Sequence, residues 1–142
     1  MKLHKAAHTV YKTQEHLVWV TRFRRKILVE GVAKYVRIKL REVQKYYADW
    51  HFTAIGIDKD HVQVHMGIPP KSSVSFAVET IKKNTSRALR EKIRFLDKGY
   101  WDRGGIWSQG YFVSSVGITE EIIRRYVARQ GKEDAGQAQL EF

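Results

Sequence analysis

The chain of 142 residues contains no cysteine, which excludes disulfides, thiolate metal sites and a catalytic thiol. Its only prolines are adjacent, Pro69 and Pro70, so proline interrupts the backbone at a single place. Acidic side chains are scarce: fifteen Asp and Glu stand against twenty-six Lys and Arg, for a net charge of +11. No long apolar run occurs. The segment Met1 to Val10 carries lysines and histidines and no hydrophobic stretch, so it reads as neither a secretory signal nor a membrane span. There is no Ser-His-Asp order and no paired-carboxylate site. Gly104, Gly105 and Gly110 have the wrong spacing for a phosphate-cradling loop.

Hydrophobic residues at 43% and charged residues at 29% describe a globular composition. The length fits one domain, 1–142, with room for a real core. The excess positive charge favours a polyanionic partner, of which nucleic acid is the commonest. A membrane surface is the rival partner. No helix here pairs a basic face with the Trp/Phe/Leu-rich face of an interfacial anchor, so no membrane partner is expected. A nucleic-acid partner puts the expected location in the cytoplasm, with the nucleoid.

No internal repeat is visible. Glu15 to Thr21 is short and rich in β-branched and aromatic residues, which predicts a buried strand, and the basic run Arg22 to Lys26 follows it. Val32, Val36, Leu40, Val43 and Tyr47 recur at helical spacing and predict a helix over 31–47. His51 to Asp58 reads as a strand. From His61 to Ile68 the residues alternate, with Val62, Val64, Met66 and Ile68 on one face and His61, Gln63 and His65 on the other. Ser72 or Ser73 is placed to cap a second helix with the stripe Val74, Val78, Ile81, Leu89 and Ile93, interrupted by Thr85. Asp97 to Gln109 reads as a loop and Gly110 to Gly117 as a last strand. Thr119 is placed to cap a final helix, with Gly131 as its stop and a loose polar tail over 132–142. The first six elements match the split β-α-β plan of ferredoxin-like folds, an α+β two-layer sandwich with a mainly antiparallel sheet and helices on one face. The C-terminal helix is additional.

Three constellations could support chemistry. On a strand, residues two apart share a face at roughly 6.5–7 Å, whereas His61 and His65 stand about 13 Å apart. A single ion is therefore bridged by His61 with Gln63 or by Gln63 with His65. Imidazole nitrogen with amide oxygen suits Mg²⁺ or Mn²⁺ better than a structural zinc. Two histidines and a glutamine on a solvated sheet face also need no function at all. Tyr126 and Gln130, four apart on a helix, share a face. A tyrosine hydroxyl can serve as a covalent nucleophile and an amide oxygen can complete a metal site, although such a tyrosine can equally be core. Finally, Arg22, Arg24, Arg25 and Lys26, interleaved with Phe23, together with Lys82, Lys83, Arg87 and Arg90, form candidate phosphate-tracking groups.

Four segments taken in order resemble a known family. They are Glu15-His16-Leu17-Val18-Trp19 with the basic run to Leu28, then Asp60-His61-Val62-Gln63 through Ile68-Pro69-Pro70-Lys71, then Ile106-Trp107-Ser108-Gln109-Gly110-Tyr111, and then Tyr126 with Gln130. Together they look like the single-tyrosine HUH transposases of small bacterial insertion sequences, the TnpA type, over nearly the whole chain. The resemblance implies a ferredoxin-like core and a homodimer in which the tyrosine helix of one subunit completes the site of the other. It implies single-stranded DNA with hairpins as substrate, a divalent ion on the histidine motif and the helical glutamine, and a 5′-phosphotyrosine link later reversed by a free 3′-hydroxyl. Carried over, Tyr126 is the nucleophile, His61 the first motif histidine and Gln130 a metal ligand. The second motif histidine falls on Gln63, which gives an HUQ-type site, with His65 as a further ligand if the strand is kinked. A domesticated hairpin-repeat DNA-binding or nicking protein and a non-catalytic ferredoxin-like RNA-binding module are the alternatives. The second of these predicts stacking aromatics on the central strands, and the His61 strand has none on its candidate face.

Overall fold

The structure is a computed structural model that describes residues 3–6, 9–11, 14–93, 105–115 and 119–140. Two short strands, β1 (His4–Ala6) and β2 (Thr9–Tyr11), pair antiparallel and form a separate ribbon that the sequence reading did not anticipate. The main sheet contains β3 (Glu15–Val20), β4 (His51–Ile57), β5 (His61–Gly67) and β6 (Phe112–Ser114) in the order β4-β5-β3-β6, and every pairing is antiparallel. Helices α1 (Glu30–Tyr46) and α2 (Val74–Lys92) connect β3 to β4 and β5 to β6. This is the ferredoxin-like arrangement expected from the element order.

The sheet is covered on both faces, by different elements. Leu17 and Trp19 of β3 and Val62, Val64 and Met66 of β5 point to the α1/α2 side. There they meet the stripes Val32, Val36, Leu40 and Val43 of α1 and Ala77, Val78, Ile81 and Leu89 of α2. Thr85, which breaks the apolar stripe of α2, is fully buried without being orphaned. Its hydroxyl donates to the Ile81 carbonyl at 2.8 Å and accepts the Trp107 indole N–H at 3.0 Å. Ser73 is the cap, accepting the Phe76 N–H at 3.0 Å.

The alternate residues of β3 and β5 face the other way. Val18 and Val20 pack there against Ile123 and Val127 of α3 (Glu120–Leu140). Thr119 caps that helix through its hydroxyl, which accepts the Ile122 N–H at 3.3 Å. The helix does not stop at Gly131. It runs through that residue to Leu140, so 132–140 continue as helix and not as the loose tail expected. Within the expected loop and last strand, 97–104 and 116–117 lie outside the described residues. Ile106, Trp107 and Ser108 run beside the end of β3. The Arg22 N–H donates to the Ile106 carbonyl and the Ser108 N–H to the Val20 carbonyl, both at 2.8 Å.

Candidate active site

The face of the sheet beneath α3 is defined by register. One row across the strands reads Phe112, Val18, Gln63, Gly56; the next reads Ser114, His16, His65, Ala54; at the other end Val20 stands opposite His61. Tyr126 lies over the first row, half-buried, with its ring centroid 5.8 Å from that of Phe112. Over 120–134, where the side chains of α3 are described, the buried positions are Ile123, Val127, Gln130 and Asp134, a stripe at helical spacing. Since Ile123 and Val127 rest on Val18 and Val20, and Asp134 on the turn just past β3, Gln130 belongs to the end of β3 where His61 lies.

His61 is buried and held by carboxylates. Its Nδ1–H donates to Asp60 Oδ1 at 2.8 Å, and its Nε2 lies 3.5 Å from Asp58 Oδ2. Asp60 is in turn approached by Arg24 Nε at 3.4 Å. Gln63 sits over Gly56, where a Cβ would come within 3.0 Å of Gln63 Cγ. The amide oxygen of Gln63 lies 3.2 Å from His16 Nε2. His65 is a row further along, its ring 3.8 Å from that of His16. The β3–β5 register runs unbroken from Glu15–Met66 to Val20–His61. The kink that would carry His65 towards His61 is therefore absent, and His65 pairs with His16 instead. Burial, then the neighbouring His65, lowers the pKa of His16 below the usual histidine range.

Among the described residues no three His, Asp, Glu or Cys side chains gather into a metal cluster. A divalent ion here would rely on His61 Nε2 and the amide oxygens of Gln63 and Gln130. That donor set, one imidazole with neutral oxygens, fits Mg²⁺ or Mn²⁺. Burial, then Glu133 and Asp134, push the Tyr126 phenol up to about 12. The hydroxyl therefore rests protonated at neutral pH.

Two residues expected on the DNA surface are not there. Lys82 is buried, and its ammonium donates to the carbonyls of Ser108 at 2.8 Å and Gly110 at 2.9 Å, so it fastens the segment before β6 to α2. Burial lowers its pKa. Arg22 is also buried, its guanidinium 5.6 Å from the Phe23 ring centroid. Arg24, Arg25 and Lys26 are exposed in the segment after β3; the Arg24 side chain lies against Gly131 of α3, and Arg25 lies over Phe23. Lys83 and Arg87 are exposed and Arg90 half-exposed on α2, in the layer across the sheet from Tyr126.

The sequence reading missed Asp134 and Ser108. Asp134 is 2% exposed; one carboxylate oxygen accepts the Phe23 N–H at 2.8 Å and the other the Ser108 hydroxyl at 2.7 Å. Phe23 and Arg24 both have left-handed backbone, φ 59° and 54°, so Asp134 braces a strained turn. The available signal was the continuing stripe Ile123, Val127, Gln130, Asp134, which the assumed stop at Gly131 cut short.

The IS200-like transposase family matches residues 9–130. The transposase for insertion sequence element IS200 of Salmonella typhimurium strain LT2 is 30% identical over 137 residues, which cover 94% of this chain and 87% of that protein. The ISDra2 transposase TnpA of Deinococcus radiodurans is 23% identical over 131 residues, 92% of each. A crystal structure from Deinococcus radiodurans R1, assigned as a transposase, superimposes with a TM-score of 0.77 at 25% identity, over 89% of this chain and 97% of that one. A REP-associated tyrosine transposase bound to a REP hairpin shares the fold, with a TM-score of 0.55 at 16% identity over 89% of this chain and 68% of that one. With the match running from the second strand of the amino-terminal ribbon to Gln130 on α3, the chain belongs to the IS200-like transposase family.

Proposed function

We propose that this DNA transposase cleaves and rejoins single-stranded DNA at hairpin-bearing element ends, with Tyr126 as the nucleophile and Mg²⁺ or Mn²⁺ as the cofactor. The observation that carries the reading is the placement of α3. It sets Tyr126 and Gln130 on the same sheet face as His61 and Gln63.

His61, Gln63 and Gln130 would hold the ion, which supplies positive charge to the scissile phosphate. The Tyr126 oxygen attacks phosphorus and its phenolic proton passes to water. The bond from phosphorus to the 3′-oxygen breaks, that oxygen takes a proton from water and leaves as a free 3′-hydroxyl, and the 5′-phosphate stays on the tyrosine. Attack of a 3′-hydroxyl reverses the link, so rejoining needs no external energy source. Arg24, Arg25 and Lys26, exposed after β3, would receive the backbone phosphates that flank the break. In this single chain α3 rests on its own β3. A homodimer would present the same helix to the partner's site.

The test is cleavage of a pool of end-labelled hairpin oligonucleotides with Mn²⁺, with and without chelator, against the same sequences as full duplex. Metal-dependent cuts in the single strand alone are expected. Equal cutting of the duplex, or cutting in chelator, would overturn the reading.

A further inference from the structure

Proteins bind Mg²⁺ mostly through one or two carboxylates, with waters and substrate phosphates completing the octahedron. His61, Gln63 and Gln130 bring no carboxylate, but one stands beside them. Asp58 and His61 close the β4–β5 hairpin one pair beyond Ile57 and Val62, and the Asp58 N–H donates to the His61 carbonyl at 2.9 Å. Ile57 and Val62 pack into the α1/α2 core, so alternation turns Asp58 and His61 to the opposite face. Gly56 and Gln63, paired in register, share that face one row along. The Gln63 side chain lies over Gly56, so it too leans towards β4.

Two carboxylates bear on His61, and they do different things. Asp60 Oδ1 accepts the Nδ1–H at 2.8 Å, which is how an outer-shell carboxylate orients a metal-binding histidine. In the neutral ring the lone pair is then on Nε2. Asp58 Oδ2 is 3.5 Å from that atom. This is longer than an N–H···O hydrogen bond. It is a distance that one ion spans, since two donors each ~2.1 Å from a cation can stand up to ~4.2 Å apart. The Asp58 side chain is 70% exposed, so it can turn onto an ion without unpacking the core.

We infer that Asp58 is a further metal ligand: its carboxylate and His61 Nε2 take the same divalent ion at the β4–β5 hairpin, and Asp58 supplies the one negative charge among the ligands. This rests on the reading of His61 as a metal ligand. If the carboxylate served only as the ion-pair partner of a protonated His61, it would oppose the ion, because a proton and a cation compete for Nε2.

The experiment is Mn²⁺ binding to the full chain, followed by electron paramagnetic resonance of the free ion, with folding checked by circular dichroism. His61→Ala is expected to lose affinity. Asp58→Ala is expected to weaken binding by about tenfold or more, at least what loss of an outer-shell partner costs. Ligation itself is read with Co²⁺ and Asp58→Cys. The chain has no cysteine of its own, so a sulfur-to-cobalt charge-transfer band in the near ultraviolet can come only from position 58. The band is expected in Asp58→Cys and is expected to disappear when His61→Ala is added. Unchanged or tighter Mn²⁺ binding in Asp58→Ala, with loss in His61→Ala, would overturn the role of Asp58 and leave the metal site standing. Full affinity in His61→Ala would overturn both. A folded Asp58→Cys that binds Co²⁺ without the band would place the side chain outside the ion's ligand shell and overturn the assignment.

Discussion

The carboxylate of Asp134 accepts the backbone N–H of Phe23 at 2.8 Å, across 111 residues of sequence. Phe23 is in left-handed backbone at the end of β3, and Asp134 lies on the third turn of α3 beyond Ile123. The tyrosine helix is thus attached to the sheet by two different means. Apolar contact holds Ile123 and Val127 on Val18 and Val20, and a buried carboxylate ties the helix to the turn at 22–24 and to Ser108.

Removing the carboxylate leaves two buried donors without an acceptor. Asp134→Ala is expected to cost about 1.5–3 kcal/mol in denaturant unfolding, the range for hydrogen bonds to a charged group. Asp134→Asn, which keeps one acceptor, should cost less. A change within experimental error for Asp134→Ala would show that the contact does not stabilise the helix dock.

Gly131 offers a cleaner test of the same interface. In an ordinary helix interior, Gly→Ala gains about 1 kcal/mol. Here the Arg24 side chain lies over Gly131, and a new methyl would collide with its Cγ and Cδ. Gly131→Ala is expected to destabilise the wild type and to stabilise an Arg24→Ala background, as read from a double-mutant cycle. Stabilisation in both backgrounds would mean that Arg24 does not lie on the helix.

These two residues also show where the sequence was legible. The stripes of α1 and α2 and the alternation of β5 could be read directly, because a buried face imposes its period on the residues. Even Tyr126 and Gln130 were legible as a helical pair. Gly131 misled because a helix-stopping glycine and a glycine cleared for a crossing side chain look alike in sequence, and Arg24 is remote. Lys82 misled in a similar way: its charge suggested a surface, but two backbone carbonyls of another segment bury it. His16 stands opposite His65 only through strand register, which no local pattern contains.

The phenol of Tyr126 should titrate late. Burial first, then Glu133 and Asp134, raise it from 10.0 to about 12. The folded chain therefore keeps this proton where the unfolded chain has lost it. The associated stability is fully present below pH 10 and is lost as pH rises through about 12. Ultraviolet phenolate titration of the folded wild type minus Tyr126→Phe should isolate a component that is still protonated where ordinary tyrosines ionise. A difference midpoint near 10 would place the hydroxyl in free solvent.

The basic residues should divide by location. Arg25→Ala and Lys26→Ala, in the exposed segment after β3, are each expected to lower the slope of log affinity against log salt for a single-stranded hairpin by about 0.7. Lys83→Ala and Arg87→Ala, across the sheet, should leave it unchanged. An equal effect from both groups would mean that DNA wraps both layers.

The most direct measurement of the central claim is covalent capture. The protein is incubated with labelled single-stranded hairpin DNA and Mn²⁺ and run on a denaturing gel. The expected result is a protein–DNA adduct that forms only with the ion and is absent in Tyr126→Phe, while hairpin binding by that variant persists. An adduct that survives Tyr126→Phe, or cleavage with no adduct at all, would contradict a tyrosine nucleophile.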